Sequence, residues 1–241
     1  DEGVYMIKRL SLLLVFVLGG VCQNLDSLKY LAEQGDNEAQ LSWGVKYYYG
    51  TEGAEQDLEK ALYWMEKSAL QGNHTAQYYV GSSYLKGHGV AEDKKKGVKW
   101  LEKSANQGNS HAQLTLARIF FHGEGYYDNK ERTLMWVEKS ANQGNAEAQL
   151  FLGKMYYNGE GVVEDDWEAL IWFEKSAKLG EAEAQYLTGT MYYFGQGTYR
   201  KTKNIRKALF WLDKAKKNGE TRADEFIKEY GLTLQLLLYD N

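Results

Sequence analysis

Trp64, Trp100, Trp136 and Trp172 stand 36 residues apart, and Trp211 follows 39 residues later. Gly72, Gly108, Gly144, Gly180 and Gly219 keep the same spacing. So do the pairs Ala76-Gln77, Ala112-Gln113, Ala148-Gln149 and Ala184-Gln185, with Ala39-Gln40 one residue further out. A fixed period of this length is the signature of a stacked-repeat architecture, and it constrains the fold more than any local propensity. Five copies of one unit fill residues 37–219. A half-unit at 23–36 precedes them as an N-terminal cap, and a different segment, 220–241, follows as a C-terminal cap.

The fourth copy, NAEAQLFLGKMYYNGEGVVEDDWEALIWFEKSAKLG, shows what the unit is. Ala148, Leu152, Met155 and Tyr156 recur at helical spacing and end at Gly159. A second helix starts after Asp165 and Asp166, whose carboxylates suit a helix N-terminus. It carries Leu170, Phe173 and Ala177 and stops before Gly180, at a left-handed C-cap position. Two antiparallel helices joined by a Gly-x-Gly turn cannot bury their own apolar faces, whereas five stacked hairpins can. Proline is absent from all 241 residues, as continuous glycine-ended helices prefer. The fold class expected is all-α: an α-solenoid of five helix-turn-helix repeats with terminal capping helices.

Residues shared by the copies have packing explanations. Gly44, Gly81, Ala117, Gly153 and Gly189 mark a small-residue position where two helix backbones approach closely. Tyr47, Tyr84, Phe120, Tyr156 and Tyr192, together with the tryptophans, are aromatic wedges rather than a ligand box.

The N-terminus reads as an address. Met6-Ile-Lys8-Arg9 precedes an apolar run from Leu10 to Val21, the layout of a secretory signal peptide. The run is shorter than the roughly 18–20 residues of a membrane span. Residues 1–22 are therefore set apart as an upstream extension plus signal peptide, and the chain is expected to be exported to the periplasm or cell envelope. Cys22, the single cysteine, is either a lipid-anchor site or a residue at the cleavage point; Val21 before it is bulkier than a lipoprotein signal uses. One cysteine excludes an internal disulfide framework. A net charge of −4 and a pI near 5.7 argue against a nucleic-acid partner.

The pattern A-E-A-Q-x-x-L-G-x-M-Y-Y-x-G-x-G-V followed by D-x-x-x-A-L-x-W-x-E-K-S-A-x-x-G resembles the Sel-one-like repeat family, relatives of tetratricopeptide repeats. In copy four the match rests on Ala148-Gln149, Gly153, Tyr156-Tyr157, Gly159, Gly161, Ala169-Leu170 and Trp172. The resemblance implies a curved right-handed superhelix whose first helices line a concave surface, and a protein-interaction scaffold rather than an enzyme. Copy one has an extra turn residue, copy five a three-residue insertion, and the paired cysteines of some members are missing.

Positions that vary between copies are free to recognise a partner. Two, five and nine residues after the shared glutamine, one helix face carries Ser42, Val45, Tyr49; Tyr79, Ser82, Lys86; Thr115, Arg118, His122; Phe151, Lys154, Asn158; and Leu187, Thr190, Phe194. From these, Tyr49, Tyr79, Phe151, Leu187 and Phe194 are expected as apolar anchors, and Lys86, Arg118, His122 and Lys154 as polar contacts to a protein partner. The insertion around Arg200, Lys201, Lys203, Arg206 and Lys207 reads as an exposed loop, either merely solvated or gripping an acidic partner or membrane surface. The apolar stretch 232–239 is expected either to cap the last hairpin or to form a dimer or partner contact.

No catalytic constellation emerges. The four histidines form no H-x-x-x-H pair, the Gly-x-Gly turns lack the third glycine and strand of a phosphate loop, and no G-x-S-x-G elbow is present. No cofactor or metal is expected. Three functional readings follow from the resemblance and the address. The first is an immunity protein that occludes an envelope-attacking toxin such as a secreted phospholipase. The second is a scaffold for polysaccharide or cell-wall assembly. The third, from another class, is a cell-wall or penicillin-related enzyme.

Overall fold

A computed structural model describes residues 24–51, 53–123 and 129–232. The signal-peptide residues 1–22 with Cys22, the turn residues 124–128, and residues 233–239 of the apolar C-terminal stretch lie outside the described residues. The described residues form twelve α-helices: α1 (Asn24–Glu33), α2 (Asn37–Tyr49), α3 (Leu58–Leu70), α4 (His74–Lys86), α5 (Lys94–Asn106), α6 (Ser110–His122), α7 (Lys130–Asn142), α8 (Ala146–Asn158), α9 (Asp166–Lys178), α10 (Ala182–Phe194), α11 (Ile205–Lys217) and α12 (Thr221–Glu229). No strand occurs among them. A first compact unit ends at Ser104 and a second begins at Ala105.

Each copy contributes a first helix (α2, α4, α6, α8, α10) and a second (α3, α5, α7, α9, α11). The first helices of copies one to four begin at an Asp or Asn whose side chain accepts from the backbone N–H three residues on: Asp36, Asn73, Asn109 and Asn145. That bond satisfies one of the donors every helix leaves orphaned at its start. All five first helices end at a glycine in the left-handed region.

The shared glutamine is a buried cap for the helix before it. Its Nε2 donates to the carbonyl of the alanine eight residues earlier, near the end of the preceding helix, at 3.0–3.1 Å in all five copies. The shared serine of the second helix donates to a backbone carbonyl at the start of the facing first helix, Ser68 to Asn37 and Ser140 to Ser110. The glutamine repeats because the last carbonyls of a helix lack intrahelical partners, and the serine ties each second helix to the start of the first helix it faces. The tryptophans sit under a lysine three residues on, with ammonium-to-ring distances from 3.6 Å (Lys175 over Trp172) to 5.4 Å (Lys214 over Trp211).

The small-residue position is as tight as its sequence pattern suggests. A Cβ on Gly153 would lie 2.6 Å from Phe173 Cδ1, and one on Gly44 2.7 Å from Met65 Cγ. Copy three tolerates Ala117 because the residue at the facing register is Val137, smaller than Met65, Leu101, Phe173 or Leu212 in the other copies. The C-terminal helix α12 closes the second unit by burying Ala223 and Phe226 against Leu212 and Ala215, and Leu232 joins that cluster.

One position breaks the glutamine pattern. Oε1 of Gln40, Gln113 and Gln185 accepts from Gln71, Gln143 and Asn218 respectively, at 2.7–2.9 Å. The same register in copy four holds Leu179, which is 57% exposed and has no donor, and Gln149 Oε1 is buried without a partner. Leu179→Gln should therefore stabilise the protein by about 1 kcal/mol, supplying the missing bond while removing an exposed leucine. A urea midpoint that stays put, with the m-value unchanged, would show that Gln149 Oε1 is already satisfied.

Candidate functional site

The variable positions of the first helices are all half-buried or exposed; none is in the core. In the first unit they meet in an aromatic cluster. Tyr48 stacks edge-on against Tyr49 with ring centroids 5.0 Å apart and lies 6.0 Å from Tyr79. The Tyr48 hydroxyl is 3.0 Å from Nδ1 of His88, which the Gly87-His88-Gly89 turn holds over it. Burial, and then the neighbouring Tyr49 hydroxyl, push the Tyr79 phenol up to about 12. Tyr79 is therefore a neutral phenol that can donate and accept. Lys86, at the end of α4, is exposed.

In the second unit α6, α8 and the start of α10 frame a cavity of 420 Å³. Arg118 and His122 stand on one side, Phe151 and Lys154 on the other, and Phe121 packs edge-on to Phe151 at 5.1 Å. Arg118 Nη2 donates to Glu147 at 3.1 Å, and Lys154 Nζ donates to Glu183 at 2.8 Å. Glu183 also lies 3.5 Å from Arg222 of α12. Each cation reaches the carboxylate 29 residues ahead, on the first helix of the next copy. An exposed pair of this kind contributes only about 0.2–1 kcal/mol, so it can be exchanged for a partner's charges.

The structure thus brings Arg118, His122, Phe151 and Lys154 around one cavity, and Tyr49 and Tyr79 into one cluster. Leu187 instead packs on the core formed by α9, α10 and α11. Phe194, although 45% exposed, lies 5.9 Å from the rings of both Phe226 and Tyr230 and is engaged by the C-terminal cap. Sequence reasoning missed Glu147, Glu183, Phe121, Tyr48 and His88. Glu147 and Glu183 carried a signal: the position two before the shared glutamine also varies, reading Glu38, Thr75, His111, Glu147 and Glu183. Among the described residues no three His, Cys, Asp or Glu side chains are grouped as metal ligands would be, and no helix is long and apolar enough to cross a membrane.

The family model for the Sel1 repeat matches residues 37–73, 74–109, 110–145, 146–181 and 182–220. A solved Sel1 repeat protein from Oxalobacter formigenes is 32% identical, with a TM-score of 0.78, over 84% of this chain and 58% of its own. The immunity protein Pa5087 from Pseudomonas aeruginosa aligns over 80% of this chain and 73% of its own, with a TM-score of 0.53 and 22% identity, a likeness that concerns the fold alone. Among curated proteins, the ERAD-associated E3 ubiquitin-protein ligase component HRD3B of Arabidopsis thaliana is 37% identical over 68 residues, 28% of this chain. The chain spans about a tenth of that relative's length. The fold class is the one expected from the 36-residue period, an all-α, solenoid-type stack of helical hairpins.

Proposed function

The chain belongs to the Sel1 repeat family of protein-interaction scaffolds, and on that premise we propose that it is an exported, non-catalytic immunity protein. It would hold an envelope-targeting toxin against its first helices and cover the toxin's active site. The observation that carries the reading is the cavity shared by α6, α8 and α10. There an aromatic pair, Phe121 and Phe151, is bordered by the exchangeable ion pairs Arg118–Glu147 and Lys154–Glu183. A half-buried aromatic centre with a charged rim has the make-up of a protein-binding hot spot that a partner would desolvate. The signal-peptide layout of residues 6–21 supports export, and an immunity protein with this fold is known in Pseudomonas aeruginosa.

The test is capture from envelope extract of the source organism, with the chain tagged at its C-terminus and bound proteins identified by mass. A stoichiometric secreted toxin, whose killing is abolished by co-expression of this chain, is the expected result. The double variant Tyr79→Ala/Phe151→Ala should remain folded and lose about 100-fold or more in affinity, since each truncation removes an aromatic anchor. Unchanged affinity in the folded variant would move binding off the first helices.

A second reading, an assembly scaffold in the envelope, draws on the curated relative, which is named as a component of a larger complex. Recovery of polysaccharide or cell-wall assembly proteins in the same capture would favour it, as would palmitate labelling of Cys22.

A further inference from the structure

The turn between α10 and α11 concentrates positive charge in a chain whose net charge is −4. Arg200, Lys201, Lys203, Arg206 and Lys207 fall within eight residues, and all five are exposed. Among the described residues none of the five lies within ion-pair distance of a carboxylate. Arg200 lies over the Tyr199 ring at 5.0 Å, Lys203 over Tyr193 at 5.1 Å, and Lys207 donates to the Tyr192 hydroxyl at 2.9 Å. The neighbouring helices behave differently: Lys178, Lys216, Lys217 and Lys228 each reach an Asp or Glu.

This turn is built rather than slack. Arg200 and Lys201 adopt left-handed φ values of 56° and 53°, a conformation that costs a non-glycine residue about 1–2 kcal/mol. Hydrogen bonds hold it there. The Thr198 hydroxyl lies 2.8 Å from the carbonyls of both Gly195 and Thr202, and the Thr202 hydroxyl donates to the Tyr199 carbonyl at 2.9 Å. Gly197 seats the turn on the start of α9, where a Cβ would come within 2.2 Å of the Asp166 carbonyl oxygen.

Beside Lys207 the turn and α9 line an open cavity of 300 Å³. Leu170 and Ile171 contribute apolar wall, and Trp167 and Tyr199 stand at it 55% and 71% exposed. Its carboxylate, Glu174, accepts from Tyr192 and lies 3.8 Å from Lys178. It shares no residue with the cavity of α6, α8 and α10.

We propose that this turn and cavity form a second docking site, for an acidic peptide segment of a partner protein. The segment inserts one bulky apolar side chain between Trp167 and Tyr199 and lays its carboxylates along Arg200, Lys201, Lys203 and Arg206. The complementary charge selects an acidic occupant. The concave, aromatic-walled slot selects a single side chain over the flat surface of a bilayer. This site does not depend on the immunity reading.

The test uses the whole chain and a fluorescein-labelled, Glu- and Asp-rich peptide with one central phenylalanine, followed by anisotropy. Binding tighter than about 100 μM is expected, weakening as salt is raised. Trp167→Ala, or alanine in place of the peptide's phenylalanine, should weaken it about tenfold, and so should Lys203→Glu/Arg206→Glu. The latter pair changes only exposed side chains, with the Lys203–Tyr193 ring contact the one interaction given up, so far-UV circular dichroism should not move. Absence of binding, or binding indifferent to these changes, would overturn the site. So would binding of phosphatidylglycerol vesicles in place of the peptide, which would reassign the cations to a membrane surface.

Discussion

Gly89→Ala should cost the protein about 3–5 kcal/mol, while Gly108→Ala should cost only about 1–2. Both glycines are left-handed, at φ +72° and +95°. What separates them is the surroundings. A Cβ on Gly89 would sit 2.2 Å from the carbonyl oxygen and 2.5 Å from the carbonyl carbon of Leu58, the first residue of α3, whereas one on Gly108 would meet nothing within 4 Å. Backbone cannot rotate away as a side chain can, so the turn of copy two would have to lift off the second helix of copy one. In a repeat protein that loosens a nearest-neighbour interface instead of one contact, and the unfolding transition should broaden as well as shift. Urea denaturation followed by circular dichroism distinguishes the two variants. Equal losses would mean that the turn does not seat on α3. Gly197, 2.2 Å by the same construction from the Asp166 carbonyl, holds the corresponding place in copy five.

That contact illustrates which features a linear reading can reach. The glycine after each first helix, the shared glutamine, serine and tryptophan, and the small position facing Met65, Leu101, Val137, Phe173 and Leu212 announce themselves by recurrence. Each answers the same local demand from copy to copy, so the demand is written four or five times over; only the serine gives way, to Ala215 in copy five. Interactions between copies leave a fainter trace. Arg118 and Lys154 read as cations free for a partner, because 29 residues separate each from its carboxylate, Glu147 or Glu183, in sequence. Only stacking one first helix on the next shows that they touch. Phe194 is engaged within the molecule for the opposite reason. The variable-position rule assumes another copy follows, but α12 lies outside the period and brings Phe226 and Tyr230 to Phe194. The orphaned Gln149 Oε1 needed both views: recurrence says that a donor belongs at residue 179, and geometry shows what the leucine there leaves unpaired.

Lys154→Glu should weaken partner capture by about 100-fold while changing stability by less than about 1 kcal/mol, and the exchange Lys154→Glu/Glu183→Lys separates the causes of that loss. Lys154 Nζ lies 2.8 Å from Glu183, and their side chains are 37% and 35% exposed, so the pair contributes little to folding. In the single variant two carboxylates face each other across the cavity beside Phe151, and a partner carboxylate docking there meets repulsion worth several kcal/mol. The double exchange restores an internal pair with its polarity reversed, while Arg222 loses Glu183 and keeps Glu220. If the ion pair merely orders the cavity wall, the exchange recovers both stability and capture. If Lys154 is read by the partner, stability returns and capture does not, because the cation now projects from α10 instead of α8. The second outcome is expected, since Arg118 and Lys154 occupy one register on successive helices and present positive charge at a fixed spacing that a partner can match. Titration calorimetry of both variants against the captured partner, with thermal unfolding as the folding control, reads the two quantities independently. Recovery of wild-type affinity by the exchange would reduce this pair to scaffolding and leave recognition to Phe121 and Phe151.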